Sequence, residues 1–130
     1  MAWTITEAVD AWKMKSQAGD ELIEVKLSCI SDANASDYDI LQDLKGTSLY
    51  LVKIVPGAGG DAPTGTFDLD IEDETDAHIL DTDANSNSAT TFHSGLATLG
   101  LYPPIKNKVS LVCATLGDAN TATIYLYFVR

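Results

Sequence analysis

Six carboxylates fall within nine residues of this chain, at Asp68, Asp70, Glu72, Asp73, Glu74 and Asp76, and Asp81 and Asp83 follow. Oxygen ligands at that density are the chemistry of calcium, and Asp81-x-Asp83-x-Asn85 opens like a calcium-binding loop. The pattern then fails, because Ser86 stands where the loop requires glycine and Phe92 where it requires the bidentate glutamate. Two readings are left for the acids. One is a solvated strand face whose self-repulsion discourages edge pairing; the other is a looser surface calcium site shared among these segments. The first needs no ligand, and no metal site is assigned.

The remaining reactive residues form no working set. His78 and His93 are the two histidines, whereas zinc takes three or four convergent ligands. Cys29 and Cys113 lie in apolar, strand-like runs, which commits them to the core as free thiols. A disulfide is the alternative, and it would need an oxidising compartment that no signal peptide announces. Ser94-Gly95 beside His93 is a sequence neighbour pair without the Gly-x-Ser-x-Gly elbow. Paired acids could serve a glycosidase, but any acidic protein offers such pairs. The glycine-rich residues 56–65 lack Gly-Lys-Ser/Thr and lead into a strand, so they offer phosphate no helix N-terminus. We expect no enzyme, no catalytic residue and no cofactor.

Eight Lys+Arg against nineteen Asp+Glu give a net charge of -11 and a pI of about 4.2. That field repels phosphate backbones, and no basic patch opposes it, so nucleic acid is not an expected partner. No uncharged apolar run approaches the roughly 20 residues of a membrane-spanning helix. The expected product is soluble and made in a cytoplasm, without a small-molecule substrate. A length of 130 residues reads as one domain over 1–130, able to bury roughly two-thirds of its unfolded surface.

The elements follow from alternation. Trp3 and Ile5, then Trp12 and Met14, suggest two short strands or one bent one, before a turn at 16–20. Ile23, Val25, Leu27 and Cys29 share one face of a half-buried strand. After a small polar connection at 31–37, Ile40, Leu41 and Leu44 change period, and Ser36 or Asp37 before them and Gly46 after them fit one or two helical turns, with a strand as the alternative. Residues 47–55 are apolar on both sides, as in a sheet interior. Phe67, Leu69 and Ile71 point inward, opposite Asp68, Asp70 and Glu72. Residues 81–91 read as a long polar loop, and Phe92, Leu96, Leu99 and Leu101 supply apolar anchors beyond it. The last stretch, 108–130, reads as a β-hairpin around Gly117 to Asn120. Its final strand places Ile124, Leu126 and Phe128 on one side and Tyr125, Tyr127 and Val129 on the other, which suits a central strand or one covered by another chain. The sum is an all-β, antiparallel β-sandwich of jelly-roll or similar type, with about seven strands and at most one short helix.

The order Leu51-Val52-Lys53-Ile54-Val55-Pro56-Gly57, Ala62-Pro63-Thr64, Phe67-Asp68-Leu69-Asp70-Ile71, Ile79-Leu80, Tyr102-Pro103-Pro104 and a closing hairpin resembles a group of small proteins encoded among the structural genes of tailed bacteriophages. The likeness spans about residues 47–130 and leaves the first 46 unexplained. It implies a β-sandwich virion component, assembling in many copies with itself and with other virion proteins as a capsid decoration or a head, neck or tail part. It implies no catalytic residue. On this reading Tyr125 and Tyr127, together with Asp68, Asp70 and Glu72, are the interface candidates. The competing class is a small binding module for carbohydrate or calcium-dependent adhesion, with Trp3, Trp12, Tyr38 or Tyr102 as stacking faces.

Overall fold

The computed structural model describes residues 4–13, 21–31, 36–63, 67–76, 78–85, 90–94, 104–114 and 120–129. Those residues form nine strands: β1 (Thr4–Lys13), β2 (Glu21–Ile30), β3 (Ser36–Asp39), β4 (Ser48–Pro56), β5 (Phe67–Glu72), β6 (His78–Asn85), β7 (Thr91–Ser94), β8 (Ser110–Ala114) and β9 (Thr121–Val129). One 3-10 turn, Gly59–Asp61, interrupts the glycine-rich loop. Five strands make sheet A in the order β1-β2-β9-β4-β7, and four make sheet B in the order β3-β8-β5-β6.

All the ladders are antiparallel, and four of them pair β5 with β6, β4 with β7, β3 with β8 and β2 with β9. That is one long hairpin, folded at β5–β6 and rolled so that alternate strand pairs fall in opposite layers. The result is a jelly roll, with β1 added to the free edge of β2.

Period-two alternation supplies the core. Ile23, Val25, Leu27 and Cys29 from β2, Leu49, Val52 and Ile54 from β4, and Ala122, Ile124, Leu126 and Phe128 from β9 meet Leu69, Ile71, Leu111 and Cys113 of sheet B in one buried cluster. Both cysteines are free thiols within it, and burial pushes the Cys29 thiol up to about 12, far from a reactive thiolate.

Three expectations need correction. Residues 108–130 are not a hairpin, because β8 lies in sheet B and β9 in sheet A. Both strands are apolar on the inner face, so either pairing hides the same surface, and the roll gives β9 the centre of sheet A between β2 and β4. Residues 38–46 form no helix. Tyr38 and Asp39 pair with β8, the Ile40 amide donates to Val109 O at 2.9 Å, and the Leu41 and Gln42 amides donate to the Glu7 carboxylate. Those external acceptors replace the i to i-4 bonds a helix would make. Ile40 and Leu44 are buried all the same. A turn follows in which Gly46, at φ +79°, takes the left-handed conformation and the Thr47 amide donates to Leu44 O at 3.1 Å. Third, residues 81–85 are not loop; they complete β6, paired with β5 through Asp70 opposite Asp81 and Leu69 opposite Thr82. Their polar composition suits an edge strand.

The first strand is continuous over Thr4–Lys13. The interior position read for 47–55 holds, with a bulge between Leu49 and Leu51 that leaves Tyr50 exposed. The turn at 16–20, the connection at 32–35, the run 86–89, the anchors Leu96, Leu99 and Leu101, and the segment 115–119 lie outside the described residues, as do Trp3, Met14 and Tyr102.

Candidate functional site

Each sheet has an outer face, and register decides its chemistry. On sheet A, Tyr125 of β9 stands between Lys26 of β2 and Lys53 of β4. The Lys26 ammonium lies 5.8 Å from the Tyr125 ring centroid and that of Lys53 lies 5.2 Å from it, both within cation–π range. One pair along, Tyr127 stands between Glu24 and Leu51. Burial, then a hydrogen bond donated to Glu24, pushes the Tyr127 hydroxyl up to about 12. Both tyrosines are half-buried, and they lie opposite the inward Ile124, Leu126 and Phe128 of the same strand. The described elements form two layers, with no third over this face.

Sheet B presents carboxylates. Asp68, Asp70 and Glu72 of β5 stand opposite Ala114, Val112 and Ser110 of β8. On the far side of β8, Val112 and Ser110 are met by Asp37 and Asp39 of β3. Five acids therefore share one face. Asp68, Asp70 and Glu72 are half-buried there. The Ser110 hydroxyl donates to Asp39 Oδ1 and Lys108 Nζ lies 3.6 Å from the same oxygen. The hydroxyl foremost holds the Asp39 carboxyl below its ordinary value; burial opposes it, and the Lys108 ammonium adds to the lowering.

Tyr125, Tyr127, Asp68, Asp70 and Glu72, singled out in the sequence, stand on these two outer faces, and the sequence reading did not include their neighbours. Lys26 alternates with the inward residues of its strand, whereas Lys53 fell in a run read as apolar on both sides, and nothing local placed the two on either side of one tyrosine. Asp37 and Asp39 were hidden in a segment read as a loop and a helix start.

Among the described residues, no three His, Cys, Asp or Glu side chains are grouped to hold a metal ion. Of the aromatic residues considered for sugar stacking, Tyr38 packs against the core and donates its hydroxyl to Glu7 at 2.7 Å. No helix among the described residues is long and apolar enough to cross a membrane.

No family model matches this chain, and no curated protein matches it in sequence.

Proposed function

We propose that this chain is a non-enzymatic structural protein of a tailed-phage virion, made in the host cytoplasm and assembled in many copies as a capsid decoration or a head, neck or tail component. Its partners are other virion proteins and further copies of itself. The observation that carries this reading is the outer face of sheet A, where Tyr125 and Tyr127 sit at the centre of a five-stranded sheet without a covering layer among the described elements. Tyrosines are enriched at the centres of protein interfaces, where one can contribute about 2 kcal/mol or more. The jelly roll supports the reading by analogy alone, since the architecture serves virus capsid proteins and also lectins.

The test replaces both residues, Tyr125→Ser with Tyr127→Ser. The variant should keep its β-type circular dichroism and lose both association and incorporation into particles. Unfolding would assign the tyrosines to stability, and normal assembly would move the interface elsewhere. Quantitative mass spectrometry of purified virions decides the wider reading, which requires many copies of the chain per particle.

A further inference from the structure

The two outer faces of the roll are chemically unlike. Sheet A carries the row Lys26, Tyr125, Lys53, set across three adjacent strands with both ammonium groups over one ring. Its acids lie one pair away, at Asp10 and Glu24, and Glu24 already accepts the Tyr127 hydroxyl. Sheet B carries Asp37, Asp39, Asp68, Asp70 and Glu72, with Lys108 beside Asp39. In a chain of net charge -11, contact between like faces opposes acid to acid or lysine to lysine, whereas contact between unlike faces sets the lysine row against carboxylates.

We infer that copies of this chain stack head to tail, the outer face of sheet A in one copy, centred on Lys26, Tyr125 and Lys53, seating the outer face of sheet B in the next. This rests on the reading of the chain as a self-assembling structural protein and names its partner. The contact is heterologous: each copy offers one face of each kind, so the repeat closes into a ring or continues as a stack according to the rotation between copies. The size of the smaller face limits its strength. Four strands averaging about six residues, about 4.8 Å apart, present roughly 400 Å², against about 800 Å² per partner in a standard stable complex. A single contact is therefore weak, and repetition on a particle strengthens it.

Charge exchange on the full chain tests this, read by sedimentation velocity at submillimolar protein and low salt. Lys26→Glu with Lys53→Glu makes the row on sheet A acidic; Asp37→Lys with Asp68→Lys and Glu72→Lys makes the face of sheet B basic, because only Asp39 and Asp70 then remain against four lysines. Neither variant should associate alone. Mixed in equal amounts they should associate in alternation, because each reversed face then meets its opposite. Wild-type association should weaken as salt rises.

The inference is overturned by a wild type that stays monomeric under these conditions. It is equally overturned by a sheet B variant that associates like wild type, the result expected if the tyrosine face pairs with itself, or by folded variants that fail to associate when mixed. Should circular dichroism show either reversal unfolded, Lys26→Gln with Lys53→Gln and Asp68→Asn with Glu72→Gln replace them. Each neutral pair must then weaken association, and unchanged association sinks the inference. Particle content is read separately. Many copies in virions from a chain that is monomeric alone would keep the structural role and remove the stacking, assigning the lysine row to an acidic surface of another virion protein. Stacking by a chain absent from virions would do the reverse.

Discussion

Glu7 joins the two sheets at one edge of the sandwich. Its Oε1 accepts from the Tyr38 hydroxyl at 2.7 Å and the Leu41 amide at 3.0 Å, and its Oε2 from the Gln42 amide at 3.1 Å. Hydrogen bonds to a charged acceptor contribute about 1.5–3 kcal/mol each at most, and water competes for the exposed ones. Glu7→Ala should therefore cost about 2 kcal/mol in urea unfolding, and Tyr38→Phe should cost little more once Glu7 is gone. Additive costs would show that the two residues do not act together. The tyrosines give a pH signature. Burial, then Glu7, pushes the Tyr38 hydroxyl up to about 12, as burial and then Glu24 do for Tyr127. A raised folded value means that the folded state favours the neutral phenol. The contribution is whole below the ordinary value of about 10 and is lost as pH rises through about 12. Ultraviolet titration should show both phenolates forming late, and Tyr127→Phe should remove part of the alkaline loss of stability; two ordinary titrations would refute this. Asp39 has the opposite sign, its contribution being present above the ordinary carboxylate value and lost as pH falls through its lowered one.

At the scale of elements, β9 is the strand on which sheet A depends. It pairs along both edges, with β2 and β4, and its inward Ile124, Leu126 and Phe128 are almost wholly shielded from solvent. Leu126→Asp would place an unpaired charge among Val25, Val52 and their neighbours, at a cost of several kcal/mol, comparable with the whole stability of a small domain. The expected outcome is an insoluble or unfolded product, whereas Thr123→Asp, outward on the same strand, should stay folded. A soluble, native Leu126→Asp would mean that the faces of β9 are reversed. The β5–β6 turn shows a different kind of control, exerted locally. Asp73 Oδ1 accepts from the Thr75 amide at 2.8 Å and its hydroxyl at 2.7 Å, and Asp76 takes a left-handed φ of 62° to finish the turn.

For the molecule as a whole, the decisive asymmetry is between a sheet with lysines over tyrosine and a sheet of carboxylates. If the acids form a solvated and partner-facing surface, millimolar calcium should raise the melting temperature no more than magnesium does at equal ionic strength. A saturable, calcium-specific rise that disappears in Asp81→Asn with Asp83→Asn would establish an ion site and favour the adhesion-module reading. Both cysteines are free and buried, so stability has to come from the apolar cluster between the sheets rather than from a covalent staple.

The sequence alone determined which side of a strand faces inward wherever alternation ran unbroken, as in Ile23 to Cys29, Leu69 to Ile71 and Ile124 to Phe128, because side-chain direction depends on neighbours two residues apart. It also offered β9 two places, the centre of a sheet or a strand covered by another chain, and the roll puts it at the centre of sheet A. Alternation became harder to follow at the Leu49/Leu51 bulge, and Ile40, Leu41 and Leu44 imitated a helical face, although Leu41 is exposed, because the acceptors that fix this segment's backbone are supplied by Glu7 and Val109, distant in sequence. Only the tertiary structure decided which strands are neighbours. The side-chain pattern of β8 and β9 would bury the same residues whether they paired with each other or crossed between sheets, and the roll chose the crossing. That choice set Lys26 and Lys53 on either side of Tyr125 and brought Asp37 and Asp39 onto the face of Asp68, Asp70 and Glu72. Strand pairing is long-range and face selection is local, so the surface chemistry of this protein was settled by the first of them.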